Sequence, residues 1–255
     1  MALSLSTILQ AVNDRLESYY WTPKIITVTV GAVTTAQTFQ LIFGGIKTAS
    51  ITATGSDTAT TIAAALVTDM QLRQDNAQFG DLTVSSAAGV ITITGGAYNF
   101  TSPTTAGSGS LTVATTQAAS EKMFRDVNIV PMVDVQNIGK QLRNHPGALI
   151  FAGSDRRAEA GQNVSVATMS VLVVNDHGRE AFKETALKGS RQLIKMVEAV
   201  KKDLYYRTDL GSSSALDLEL KWNMTGSPGY IMGPDKKGWI GQEIEFEVEY
   251  VDVGV

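Results

Sequence analysis

Residues 240–251 read IGQEIEFEVEYV. In this stretch Glu243, Glu245, Glu247 and Glu249 alternate with Ile244, Phe246, Val248 and Tyr250. A β-strand sends successive side chains to opposite faces, so the pattern places four carboxylates on one side and four apolar chains on the other. Just upstream, Asp217, Glu219 and Lys221 alternate with Leu216, Leu218, Leu220 and Trp222. Two such strands predict a sheet with one core face and one wetted face. Lys221 offsets part of the acid across the ladder. Four uninterrupted glutamates still repel one another, which points to a use for a negative surface.

A core face needs a cover, and the flanking sequence supplies one. Arg179 to Tyr206 has helical spacing, with Phe182, Leu187, Leu193, Ile194, Val197, Val200 and Leu204 on its apolar side and Gly189 loosening its middle. Before it, Gly147 to Ala152 and Val164 to Val174 read as strands. Residues 4–20 read as an amphipathic helix striped by Ile8, Leu9, Val12, Leu16 and Tyr19. A lone helix of that length is not stable in water, so it packs on the later segment.

Between these parts the composition changes. Of 27 threonines in the 255 residues, 21 lie between Lys24 and Ala119, together with only seven charged residues: Lys24, Lys47, Asp57, Asp69, Arg73, Asp75 and Asp81. Such a block reads as a separate module. Its β-branched runs are Ile25–Val30, Thr38–Phe43, Ala49–Thr54, Gly89–Thr94 and Leu111–Thr115. Asp57 to Gln71 is the exception: Ile62, Leu66, Val67 and Met70 have helical spacing, with Ser56 or Asp57 as the cap. TSPTTAGSGS at 101–110 reads as a flexible turn, since a phosphate loop requires a lysine and a following helix. The expected fold class is therefore α+β, ordered helix, β-β-α-β-β. Residues 1–23 and 120–255 form that domain, and a mostly-β domain, 24–119, is inserted after the first helix.

Several functions are excluded or disfavoured. The absence of cysteine removes disulfides, thiolate catalysis and Cys-based zinc sites. The two histidines, His145 and His177, are far apart and form no metal cage. A net charge of −4 argues against a protein that grips nucleic acid by its phosphates. Residues 1–22 lack the pattern of a signal peptide and no run is long enough for a membrane helix, so a soluble chain without membrane contact is expected. The sequons at Asn99, Asn163 and Asn223 are then chance matches. Asp176-His177-Gly178 and His145-Pro146-Gly147 suit a helix cap and a turn better than catalysis. No catalytic residue, cofactor site or metal site is expected, and the chain does not read as an enzyme.

Two loops hold candidate contact residues. Thr225 to Gly238 surrounds Tyr230, Ile231 and Met232 with glycine and proline, so this apolar trio either tucks under the loop or anchors a partner. Gly153 to Gln162 reads as a polar hairpin tip carrying Arg156 and Arg157, either solvated or paired with acids of a neighbouring subunit.

The stretch from Pro146 to Val251 resembles the tail terminator (tail completion) proteins of long-tailed bacteriophages. PGALIFAG, VATMSVLVVND, a helix ending KMVEAVKKDLY, ALDLELKW and IGQEIEFEVEYV carry the resemblance, and the N-terminal helix fits it. Residues 24–119 are similar to small Thr-rich modules of phage virion proteins, while compact terminators lack this insertion. The resemblance implies a structural virion protein that forms a ring, a hexamer in the family. Such a ring caps the tail tube, ends its polymerisation and joins it to the head-side connector proteins. It is assembled in the host cytoplasm and resides in the tail neck. On that basis Glu243, Glu245, Glu247 and Glu249 are expected to face a lumen through which DNA passes without specific binding. The alternative is a minor tail or adhesin-type module that binds surfaces or carbohydrates, stacking sugars on Phe39, Phe43, Phe79, Tyr98 and Phe100.

Overall fold

The structure, a computed structural model, describes residues 5–43, 46–72, 82–134, 137–157, 164–176, 184–205, 220–221 and 239–251. It is a mixed α+β chain with mostly antiparallel sheets. The chain divides into two compact units: Met1–Tyr19 with Lys122–Val255, here unit 1, and Tyr20–Glu121, unit 2.

In chain order, α1 (Leu5–Glu17) is followed by the strands of unit 2: β1 (Tyr20–Thr22), β2 (Ile25–Val30), β3 (Thr38–Phe43), β4 (Ile46–Lys47) and β5 (Ile51–Thr52). Then come helix α2 (Ala59–Leu72), β6 (Thr83–Ala87), β7 (Val90–Thr94), β8 (Thr104–Ala106), β9 (Leu111–Gln117) and β10 (Ser120–Lys122). Unit 1 resumes with β11 (Asp126–Ile129), the short helix α3 (Ile138–Gln141), β12 (Gly147–Arg157) and β13 (Val164–Asp176). It ends with α4 (Glu184–Tyr205), β14 (Leu220–Lys221) and β15 (Trp239–Val251).

Unit 2 is built on the antiparallel sheet β6-β7-β2-β9, beside a smaller sheet in which β3 pairs with β4, β5 and β8. The alternation of β-branched and polar residues dictates its faces. Ile26, Val28 and Val30 of β2 are buried with Ile91 and Ile93 of β7, while Thr29 is exposed. Helix α2 lies against this sheet and buries Ile62, Ala63, Leu66, Val67 and Met70. Phe39, Leu41, Phe43 and Phe100 join the same cluster. Each fully buried side chain of this size stabilises the fold by roughly 1.5–3 kcal/mol.

Local chemistry sets the start of α2. Thr58 caps it: the Thr61 N–H donates to the Thr58 hydroxyl (3.3 Å), and the Thr58 N–H donates to the Thr61 hydroxyl (2.9 Å). Ser56 and Asp57, the expected caps, lie two residues and one residue too early. Asp57 instead braces the preceding turn, accepting from the Thr54 N–H and hydroxyl, both at 2.7 Å, and from the Thr61 hydroxyl at 3.0 Å. Residues 101–110 also depart from the expected flexible turn, because Thr104–Ala106 pairs with β3 as strand β8. A true turn follows at Gly107, whose φ of +105° and close approach to the Thr38 carbonyl exclude a side chain.

Unit 1 carries a five-stranded sheet ordered β11-β12-β13-β15-β14. All pairs are antiparallel except β11 with β12, which are parallel. Helices α1 and α4 lie against the sheet, α1 on β11 and β12, α4 on β13 and β15. The sequence pattern alone does not announce strand β11 or helix α3. Their segment has neither a long β-branched run nor a full helical period, and parallel pairing with β12 makes the strand. The strand β12 extends through Arg157, past a bulge between Ala152 and Asp155. Arg156 and Arg157 are therefore strand residues, in register with Val166 and Ser165, and not a hairpin tip.

Candidate functional site

Register sorts the unit 1 sheet into two faces. Strand β15 sets Ile244, Phe246 and Val248 opposite Val171, Met169 and Ala167 of β13, and all six are buried. That is the helix-covered face. On it, α4 buries Leu193, Met196, Val197, Val200 and Leu204, and α1 buries Ile8, Val12 and Leu16.

A buried ion pair ties these two helices together. The Arg15 guanidinium donates through Nε and Nη2 to the two Asp203 carboxylate oxygens, each at 2.6 Å, and the Tyr19 hydroxyl donates to Oδ2 at 2.6 Å. Both charged side chains are at most 2% exposed. Charges so far from water are tolerated because the bidentate geometry and the tyrosine satisfy the carboxylate. Tyr19 also accepts at its carbonyl from the Met123 N–H (2.8 Å), and its ring packs on Phe124 at 5.9 Å between centroids. The helix before the insertion is thereby fixed to the chain that follows it.

On the other face, Glu243, Glu245 and Glu247 stand in register with Leu172, Ser170 and Thr168. Glu243 is exposed; Glu245 and Glu247 are half-buried. Glu249 continues the row in register with Val166, and Lys221 of β14 is in register with Glu247. One end of this face is closed by α3. There Ile138 and Leu142 pack with Leu149, Leu172, Val174 and Trp239. The remaining part is polar, with a contact between the Ser154 and Thr168 hydroxyls at 3.2 Å.

The outer side of α4 has the opposite charge. Arg191, Lys195, Glu198 and Lys202 recur at intervals of four, three and four residues and are all exposed. Ile194, expected on the apolar side, lies beside this stripe and is 49% exposed. Each position of the stripe lies half a turn away from buried Val200 or its neighbours, so the stripe points away from the sheet. The apolar period of the helix alone does not reveal it. Charge periodicity at the same spacing is the signal that finds it.

A depression of about 510 Å³ lies beside β11, lined by Asp126, Asn128, Ile129, Val130, Lys140, Gln141 and Arg143. Several of its polar groups are used internally: Asp126 accepts from the Arg143 N–H (2.7 Å), and the Asn128 amide donates to the Gln141 carbonyl (2.8 Å). Among the described residues no group of three or more His, Cys, Asp or Glu is placed to hold a metal ion. Among them, too, no helix is long and apolar enough to cross a membrane.

Other expected positions fall as follows. Tyr230, Ile231, Met232 and His177 lie outside the described residues, as does Phe79. Phe39, Phe43 and Phe100 are buried at 0%, 8% and 7% exposure, and Tyr98 packs against the same cluster. They form a core rather than a sugar-stacking surface. Lys24 donates to the Phe100 carbonyl (3.1 Å) and the Ser102 hydroxyl (2.9 Å), and partial burial lowers its pKa from the ordinary lysine value. No protein-family model matches the chain, and no curated protein matches it.

Proposed function

We propose that the protein is a structural, non-enzymatic virion component of the tail-terminator type. It forms a ring that caps a phage tail tube, ends tube polymerisation and joins it to head-side connector proteins. The observation that carries this reading is the two-faced body of unit 1: helices cover one side of its sheet, and carboxylates line the other. Two unlike faces give a subunit the means to associate head to tail, and such contacts close into a ring when the rotation between neighbours divides a full turn. Support also comes from the mixed α+β body, with α1 before the insertion and β12, β13, α4 and β15 after it. Unit 2, with few charged residues, serves as a decoration or docking module. DNA crosses the ring without specific binding.

The adhesin alternative has lost the support of its aromatic residues, because the described ones belong to a core. Native mass spectrometry with negative-stain imaging tests the ring reading. A single closed species of about six copies, as the resemblance implies, is the expected result. A monomer that binds glycans returns the adhesin reading.

A further inference from the structure

The two charged features of unit 1 lie on opposite sides of one sheet, and they match. The α4 stripe consists of Arg191, Lys195 and Lys202, interrupted by Glu198 and flanked by the exposed Ile194. The strand row consists of Glu243, Glu245 and Glu247, with half-buried Thr168 and Val166 on the adjoining strand. Along a helix, Arg191 and Lys195 are separated by about 6 Å of rise. Along a strand, alternate residues are separated by about 6.7 Å. The Arg191-to-Lys195 step is therefore close to the interval of successive carboxylates on β15, while Lys202 lies about 10.5 Å beyond Lys195.

We propose that these two surfaces are the halves of one self-association contact: the α4 stripe of one copy seats on the Glu243–Glu247 row of the next. Arg191 and Lys195 pair with carboxylates of the row, and Ile194 covers the Thr168 and Val166 side of the strand. The occupant is a second copy of this chain because charge, spacing and the apolar neighbour all find their complement on the same molecule. The contact is heterologous, since each copy offers its helix side to one neighbour and its strand side to the other. It deepens the ring reading by supplying the subunit contact, and it uses the glutamate row at the interface in place of the lumen.

The test is charge reversal in the full-length protein, followed by sedimentation velocity at low salt. The variant R191E/K195E and the variant E243K/E247K each place like charges face to face, so each is expected to associate about a hundredfold more weakly than wild type. Mixing the two restores assembly, because alternating copies again present opposite charges at every contact. The four-fold variant carrying both reversals assembles by itself. Far-UV circular dichroism and melting curves show whether each variant folds, and the mixing experiment stays decisive because an unfolded variant cannot be rescued by its partner. Wild-type-like assembly of both single-side variants overturns this contact while leaving the ring reading standing. A wild-type protein that stays monomeric overturns both. Normal assembly by E243K/E247K with a block in genome passage returns the row to the lumen and overturns the contact.

Discussion

The two units share a building plan, an antiparallel-rich sheet with a helix packed on one face, but they treat charge in opposite ways. Among the described residues, the one buried polar side chain of unit 2 is Thr48, whose hydroxyl is satisfied by the Leu41 N–H at 2.9 Å and the Ala49 carbonyl at 3.2 Å. Asn13, Arg15, Ser165, Ser170, Asn175 and Asp203 are all in unit 1. Unit 2 therefore holds together by apolar burial and hydroxyl turns, whereas unit 1 also depends on an ion pair between helices 188 residues apart. The surfaces follow suit. Unit 2 carries three basic and four acidic residues between Lys24 and Ala119, whereas unit 1 carries a charged stripe on α4 and a row of glutamates on β15.

The largest effect that can break this comparison is removal of one ion partner. Arg15→Ala leaves Asp203 buried without its cation and is expected to destabilise unit 1 by about 3–5 kcal/mol. In urea unfolding, a unit 1 transition moves to lower denaturant while a unit 2 transition stays in place. An unchanged unit 1 transition would show that the pair contributes nothing. The double replacement Arg15→Met with Asp203→Leu recovers most of the loss, because apolar chains fill the site without stranding a charge. In unit 2 the corresponding lesion is a cavity. Leu66→Ala, at a fully buried position of α2, costs about 2–5 kcal/mol and moves only the unit 2 transition.

Much of this contrast can be read in the chain. The threonine-rich block shows itself in composition, and Ile62, Leu66, Val67 and Met70 mark α2 by spacing alone. Strand β15 is equally plain, because its alternation has only one physical outcome. What escaped notice depends on partners distant in sequence. Asp126–Ile129 becomes a strand only because β12 runs parallel beside it. Thr104–Ala106 is a strand only because β3 has a free edge. Arg15 and Asp203 sit at ordinary helical positions, and nothing local to either announces the other. The polar face was legible as a row of glutamates, but its complement on α4 was hidden inside a helix read for its apolar side.

Smaller effects refine the picture of unit 2. Thr58→Ala removes the α2 cap and is expected to cost about 1 kcal/mol, read as a shift of the unit 2 transition alone. Asp57 has its pKa lowered from the ordinary aspartate value, first by the Thr54 N–H, then by the Thr54 and Thr61 hydroxyls. Its stabilising contribution is therefore present above the unfolded-state pKa and fades as pH falls through the folded-state value. Asp57→Asn flattens the acid limb of unit 2's stability against pH and leaves unit 1's profile unchanged. An identical acid limb in both proteins would assign the slope to other carboxylates.

The central claim is that unlike faces of unit 1 close copies of this chain into a ring. Native mass spectrometry of the purified full-length protein, run across a series of ionic strengths, addresses it most directly. The account predicts one closed oligomer of fixed copy number at low salt, dissociating without open intermediates of growing length as salt screens the contact. A monomer at every ionic strength, or an open ladder of oligomers without a preferred size, would contradict it.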